Sequence, residues 1–283
     1  MHSKSFTLIE ILVVIVVIGI LSAFILVGMS SISESANIAK GKSFIDSIDN
    51  NLLLERLSYW KFDESSGITM YDSWGTNNGT LSGSPSPEIN NLECISNNCL
   101  SFNGSTSYIS ISSTTMNLST GTTIIFWARR NELSTPGTGI EDDILGNGTS
   151  GYNFLAFRQS DNELQLETTT NGDVSISSGL IKDTNWHYYV ITILNLNPSW
   201  YQDGLLISSG DLVNNNLTIN QISRPYYFDG LIDEVRIYTA ALPTSQIEQN
   251  YFLGLNKLFK NRGIAENEYI ERIVELKTNL TQS

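Results

Sequence analysis

The sequence predicts a mainly β protein: an antiparallel sandwich mounted on a long N-terminal α-helix, with short helices at the C-terminal end. Three observations predict it. A charge-free apolar run occupies Ile11 to Met29. From Tyr59 onward, β-branched and aromatic runs alternate with Gly, Asn, Asp and Ser clusters, the pattern of short strands joined by tight turns. After residue 244 the apolar spacing changes to that of helices.

The composition agrees. Of 283 residues, 41% are hydrophobic and 10% aromatic, enough for a substantial core, while only 16% are charged. The usual charged share is about 25%, and here Ser, Thr, Asn and Gly fill the gap. The net charge of −13 repels phosphate backbones, so no nucleic-acid partner is expected.

The N-terminal segment comes first. Met-His-Ser-Lys-Ser is short and basic, and the 19 uncharged residues that follow Glu10 approach the length of a bilayer-spanning helix. Lys4 on the short side predicts a cytoplasmic N-terminus. A secretory signal or a plain anchor shares those features, but neither accounts for Glu10, a carboxylate inside the apolar run that calls for a partner. Ile32, Ala36, Ile38, Ala39, Phe44, Ile45, Ile48, Leu52 and Leu53 continue at helical spacing, and no Pro occurs before Pro85. A helix over 6–57 would be about 75–80 Å long.

The leader followed by F-T-L-I-E and a long apolar helix resembles the type IV prepilin family. The resemblance implies cleavage by a prepilin peptidase between Ser5 and Phe6, and methylation of the new Phe6 amine. It implies that Glu10 neutralises that amine on a neighbouring pilin subunit, which sets the axial register. The family usually carries Gly before the cut; Ser5 departs from it. The location implied is the cytoplasmic membrane, then an extracellular pilus or the cell surface.

The sandwich is predicted over 58–252. Strand-like runs include Tyr108–Ser112, Thr122–Ala128, Glu163–Thr169, Trp186–Leu194, Ser199–Gln202, Leu205–Ser208 and Leu231–Tyr238. Asp203-Gly204 between two of them is a hairpin signal of the turn type that needs positive φ. In order, S-Y-W-K-F-D-E-S-S-G, Y-D-S-W-G-T-N-N-G-T-L, L-S-F-N-G-S-T-S-Y-I, N-W-H-Y-Y-V, W-Y-Q-D-G-L-L-I and F-D-G-L-I-D-E-V-R-I-Y-T-A-A-L resemble the laminin-G-like jelly roll of the concanavalin A superfamily. In that family the last phrase pairs with the first strand and closes the sandwich.

Several residues are candidates for chemistry. Cys94 and Cys99 form a C-x4-C pair that lacks the second Cys/His pair of a zinc site. In an exported domain they form a disulfide worth about 2 kcal/mol; the alternative is two reduced thiols. The oxygen-rich loop Asp72–Gly79 suits calcium, and the resemblance implies a structural calcium ion held by Asp72, Asn77 or nearby carbonyls, and Asp233, with Asp63 as a further candidate. The alternative is a hydrogen-bonded turn. Glu163, Gln165 and Glu167 alternate along one run, but the outer two lie roughly 13 Å apart on a straight strand, too far for a glycosidase pair. His187, in a Trp-His phrase the family shares, has no nucleophile signature beside it and reads as structural. Trp74, Tyr152, Trp200, Tyr201, Tyr226 and Tyr227 are aromatic candidates for stacking on surface glycans.

The tail, 253–283, continues a helix that starts near Thr244 and runs to about Phe259. Gly263 breaks it, and Tyr269, Ile270, Ile273, Val274 and Leu276 mark a second. It resembles short C-terminal helical modules that mediate oligomer contacts; the alternative is a short amphipathic hairpin packed on the sandwich or partly disordered. The expected function is a minor or tip subunit of a type IV pilus or pseudopilus. The competing readings are a membrane-anchored carbohydrate-binding adhesin outside any filament and, third, a surface glycoside hydrolase.

Overall fold

The computed structural model describes residues 53–83, 86–88, 94–133, 142–148, 152–168, 174–213, 216–224 and 226–280. Ser5, Phe6, Glu10 and the helix expected over 6–57, up to residue 52, lie outside the described residues. Among those described, no helix is long and apolar enough to cross a membrane.

Leu54–Ser283 form one compact unit. Its first strands are β1 (Arg56–Trp60), β2 (Thr69–Met70), β3 (Gly79–Ser82), β4 (Ser86–Glu88), β5 (Cys99–Asn103) and β6 (Tyr108–Asn117). Next come β7 (Thr122–Arg130), β8 (Asp142–Gly146), β9 (Phe154–Phe157), β10 (Leu164–Glu167) and β11 (Val174–Ile176). The last are β12 (His187–Leu194), β13 (Asn197–Gln202), β14 (Leu205–Ser209), β15 (Asn216–Ile222) and β16 (Asp229–Tyr238), followed by helices α1 (Thr244–Lys260) and α2 (Glu266–Leu280).

The strands form two eight-stranded sheets with antiparallel ladders. One runs β14-β13-β12-β7-β16-β5-β4, with β1 also paired to β16; the other runs β11-β10-β9-β8-β15-β6-β3-β2. The non-consecutive neighbours are the crossovers of a jelly roll. β1 pairs with the end of β16, Arg56 opposite Tyr238 and Trp60 opposite Val235. The first and last strands therefore close the sheet together.

The core lies between the sheets. Trp60, Phe102, Phe126, Ile191, Trp200 and Val235 meet Ile109, Met116, Leu155, Phe157, Leu166 and Ile219 there. Burying each large apolar side chain contributes about 1.5–3 kcal/mol. Trp200, a glycan candidate in the sequence, is a core residue with no exposed surface.

α1 lies on the outer face of the β7-containing sheet. Ile247, Tyr251, Gly254, Leu255 and Leu258 recur every three to four residues and are buried. Tyr251 stacks on Trp127 with ring centroids 5.8 Å apart. Gly254 permits the close approach: a Cβ there would lie 2.5 Å from the Trp127 ring. α2 folds back against α1 through Phe259 and Tyr269, whose rings stack at 4.5 Å, and buries Leu276.

The compact unit differs from the sequence boundaries. It begins before 58, because Arg56 already pairs with Tyr238 and Glu55 O accepts the Thr239 N–H at 2.8 Å. A division at 252/253 falls inside α1.

Candidate functional site

The Asp72 loop joins the start of the sandwich to its far strands. Asp72 Oδ1 accepts N–H bonds from Tyr59, Trp74 and Gly75 at 2.9–3.0 Å, and Oδ2 accepts that of Asn77 at 3.2 Å. Burial alone would raise this carboxyl, but the N–H donors of Tyr59, Gly75 and Trp74 outweigh it and hold the pKa below the ordinary value. The Asn77 side chain accepts from Ser112 N at 2.8 Å and donates to Thr114 Oγ1 at 2.9 Å, reaching β6.

Asp233 serves a different loop. Its Oδ2 accepts the N–H groups of Ile95 and Ser96 at 2.9 and 3.2 Å. That loop is closed by the Cys94–Cys99 disulfide, Cα–Cα 5.3 Å. Asp63 holds its far side, accepting the Asn98 side-chain N–H at its backbone oxygen at 3.0 Å. Asp233 Oδ1 is buried without a hydrogen-bond partner among the described residues. Burial first, and the Glu234 charge second, push the Asp233 pKa well above its ordinary value.

The expected calcium set does not fit this arrangement. Asp72 and Asn77 spend their oxygens on amide donors, while Asp233 faces the disulfide loop. Among the described residues, no three His, Cys, Asp or Glu side chains are grouped to hold a metal ion.

Beside Asp233, a β-bulge between Asp233 and Arg236 turns Glu234 into positive φ of 54°. Glu234 reaches the outer face, bonding Tyr59 Oη and Arg236 Nη2, with Lys257 Nζ at 3.0 Å. Burial would raise this carboxyl, but Arg236 and then Lys257 hold it below its ordinary value. Two adjacent acids are thus shifted in opposite directions. Trp74 packs between Tyr59 and Tyr238, at 5.0 and 4.9 Å, with the Arg56 guanidinium 5.1 Å from its ring centre. This network was not foreseen; the run Asp-Glu-x-Arg opposite a Tyr in the pairing strand is the signal it leaves in the sequence.

His187 is structural in its contacts. Nδ1 meets Asp203 Oδ2 at 2.6 Å and Nε2 meets Asp183 Oδ1 at 2.9 Å. Burial opposes its charge, yet the Asp203 charge and the bonds from both carboxylates raise its pKa to about 9. Glu163, Gln165 and Glu167 do not converge. Glu163 precedes β10 and is held by Ser177, Gly179 and Lys182, whereas Gln165 donates to Glu167 at 3.1 Å. Of the other aromatic candidates, Tyr201 is buried, with its hydroxyl 3.2 Å from Thr244 Oγ1 under α1. Tyr152, Tyr226 and Tyr227 remain half-buried.

A family model described as the concanavalin A-like lectin/glucanases superfamily matches residues 103–248. The prokaryotic N-terminal methylation motif matches residues 1–26. No curated protein matches the chain. Among solved structures, domain 4 of AbnA, a GH43 extracellular arabinanase from Geobacillus stearothermophilus in complex with arabinotriose, is 17% identical with a TM-score of 0.53. That match covers 69% of this chain and 97% of that one. The binding domain of Paraclostridial Mosquitocidal Protein 1 is 18% identical with a TM-score of 0.55, over 72% of this chain and 53% of that one. The botulinum neurotoxin serotype D binding domain is 17% identical at 0.52, over 71% and 52%. The chain spans about half the length of these two toxin domains. At such identities the likeness is one of fold.

Proposed function

The chain belongs to the concanavalin A-like lectin/glucanases superfamily, and from that premise we propose that it is a minor or tip subunit of a type IV pilus or pseudopilus displaying a lectin-like head. The observation that carries the proposal is the union of a methylation motif over residues 1–26 with a compact sandwich unit at Leu54–Ser283. The motif fits a pilus-type surface protein. In this reading, prepilin peptidase releases residues 1–5, Phe6 is N-methylated, and Glu10 offsets the Phe6 amine of the neighbouring subunit in the filament core. The size of the head favours a minor or tip position, where it does not crowd a shaft.

The head binds rather than cleaves. Glu163 is tied to the loop after β11, away from the Gln165–Glu167 pair, and two of the three structural neighbours named above are binding domains. The arabinotriose in the AbnA complex supports a saccharide as the class of ligand. Mass spectrometry of filaments carrying the protein tests the assembly: the expected N-terminus is N-methyl-Phe6, and an intact Met1 in filaments overturns it. A second reading, an anchored adhesin outside any filament, draws on Ser5 standing where the pilin family usually has Gly; an uncut chain confined to the membrane fraction would favour it.

A further inference from the structure

One end of the sandwich carries a small aromatic and cationic cluster that no role above uses. The Arg224 guanidinium lies 4.7 Å from the ring centre of Tyr108 and 6.0 Å from that of Tyr227. The two rings are 6.3 Å apart, tilted by 54°. All three residues are half-buried. Among the described residues Arg224 has no carboxylate partner and makes no hydrogen bond, in contrast to Arg130, Arg158, Arg236 and Arg272, each of which is paired with an acid. In a chain with 29 acidic against 16 basic residues, a guanidinium held away from every described carboxylate needs a reason.

The backbone beneath is fixed in place. Ser223 is buried at φ 67°. Its hydroxyl donates to Ser107 O at 3.1 Å and accepts the Phe228 N–H at 2.9 Å. That pins the residue before Arg224 to the residue before Tyr108. On the other side, Asp143 and Tyr226 exchange bonds: Tyr226 N donates to Asp143 Oδ2 at 2.8 Å and Asp143 N to Tyr226 O at 2.9 Å. Tyr227 forms a parallel bridge with Asp143. The three side chains thus rise from the start of β6 and the cross-linked segment between β15 and β16, which lowers the ordering cost of binding.

We infer that Tyr108, Arg224 and Tyr227 form a binding shelf for a carboxylate-bearing sugar, a sialic or uronic acid unit of a surface glycan. The guanidinium presents paired N–H donors with the spacing of a carboxylate. The tyrosine rings give apolar surface for the sugar's C–H face, and their hydroxyls, without partners among the described residues, meet sugar hydroxyls. The inference rests on the lectin-like reading of the head and narrows its ligand.

Titration calorimetry of the full-length protein in detergent micelles tests it, with 3′-sialyllactose, trigalacturonate and a hyaluronan tetrasaccharide as acidic probes, and lactose and arabinotriose as neutral ones. The expected result is binding of at least one acidic probe, weakened by rising salt. Arg224→Gln and Tyr227→Ala should each weaken it roughly tenfold, and Arg224→Lys, which keeps the charge but loses the fork, by less. Unchanged melting temperatures would show that the variants are folded. Binding of neutral probes alone, or acidic binding that survives Arg224→Gln, overturns the shelf and leaves a lectin-like head standing. If no saccharide binds, the glycan reading falls with it, while the Phe6 mass still decides filament assembly separately.

Discussion

His187 shows how two carboxylates convert a buried imidazole into a fixed cation. Its pKa is raised from 6.5 to about 9, so its contribution to stability is complete below about pH 6.5 and is lost as pH rises toward 9. The melting temperature should therefore fall between pH 6.5 and 9, and His187→Gln should flatten that slope while lowering stability at pH 6 by on the order of 2 kcal/mol. Asp72 behaves oppositely, since its pKa is depressed by the amides it accepts: its contribution is present above the unfolded value and disappears in acid. Asp72→Asn should cost about 1.5–3 kcal/mol, and the melting temperature should be the same in EDTA as in calcium, because the carboxylate is filled by N–H donors. The sequence located Asp72 in an oxygen-rich loop. What it could not show is the other side of the bond, since a backbone amide and a cation ask for the same carboxylate. Likewise Asp233 and Glu234 are adjacent acids in the sequence; only the bulge separates one into the disulfide loop and the other onto the outer face.

At the scale of elements, alternation was legible where one face meets solvent, whereas strands covered on both faces, such as β7, β12 and β16, were legible only from their β-branched and aromatic content. β7 and β9 are buried almost throughout, so they carry no two-residue alternation. The strand-like runs named from the sequence do not include Phe154–Phe157, and the structure extends the run Thr122–Ala128 to Arg130. The Asp203-Gly204 hairpin was legible because its turn residues are chemically distinctive, and both adopt positive φ, 51° and 82°. The preceding turn uses Asn195 and Leu196 at φ 51° and 67°, and a Leu there gives no such signal. Helix α1 was legible from its spacing, but the surface it covers was not. Gly254→Ala tests that surface: the helix backbone would gain up to about 1 kcal/mol, but the new methyl meets the Trp127 ring at 2.5 Å. Overpacking of this kind costs about 1–3 kcal/mol, so the variant should melt at a lower temperature, as circular dichroism would show.

At the scale of the whole molecule, the compact unit Leu54–Ser283 has β1 as its first strand. Its boundary makes a direct prediction. A fragment beginning at Leu54 retains the Arg56–Tyr238 pairing and the Glu55–Thr239 bond, whereas one beginning at Ser58 loses both. The longer fragment should melt several degrees higher, at about 1 kcal/mol for each hydrogen bond kept. The sequence placed the change of character at Tyr59 because that is where β-branched and aromatic runs begin to alternate with Gly, Asn, Asp and Ser clusters; the pairing that starts before it depends on backbone groups, which no side-chain pattern records. β1 also has a mechanical meaning. Its first residue pairs with the last residue of β16, and the loop bearing Arg224 leads into the first residue of β16, about 30 Å away along the strand. A pull between the incoming chain and a ligand held at that loop therefore runs lengthwise along β1 and β16. Their hydrogen bonds are loaded in shear and resist together instead of opening one after another, which force spectroscopy would register as a single abrupt rupture.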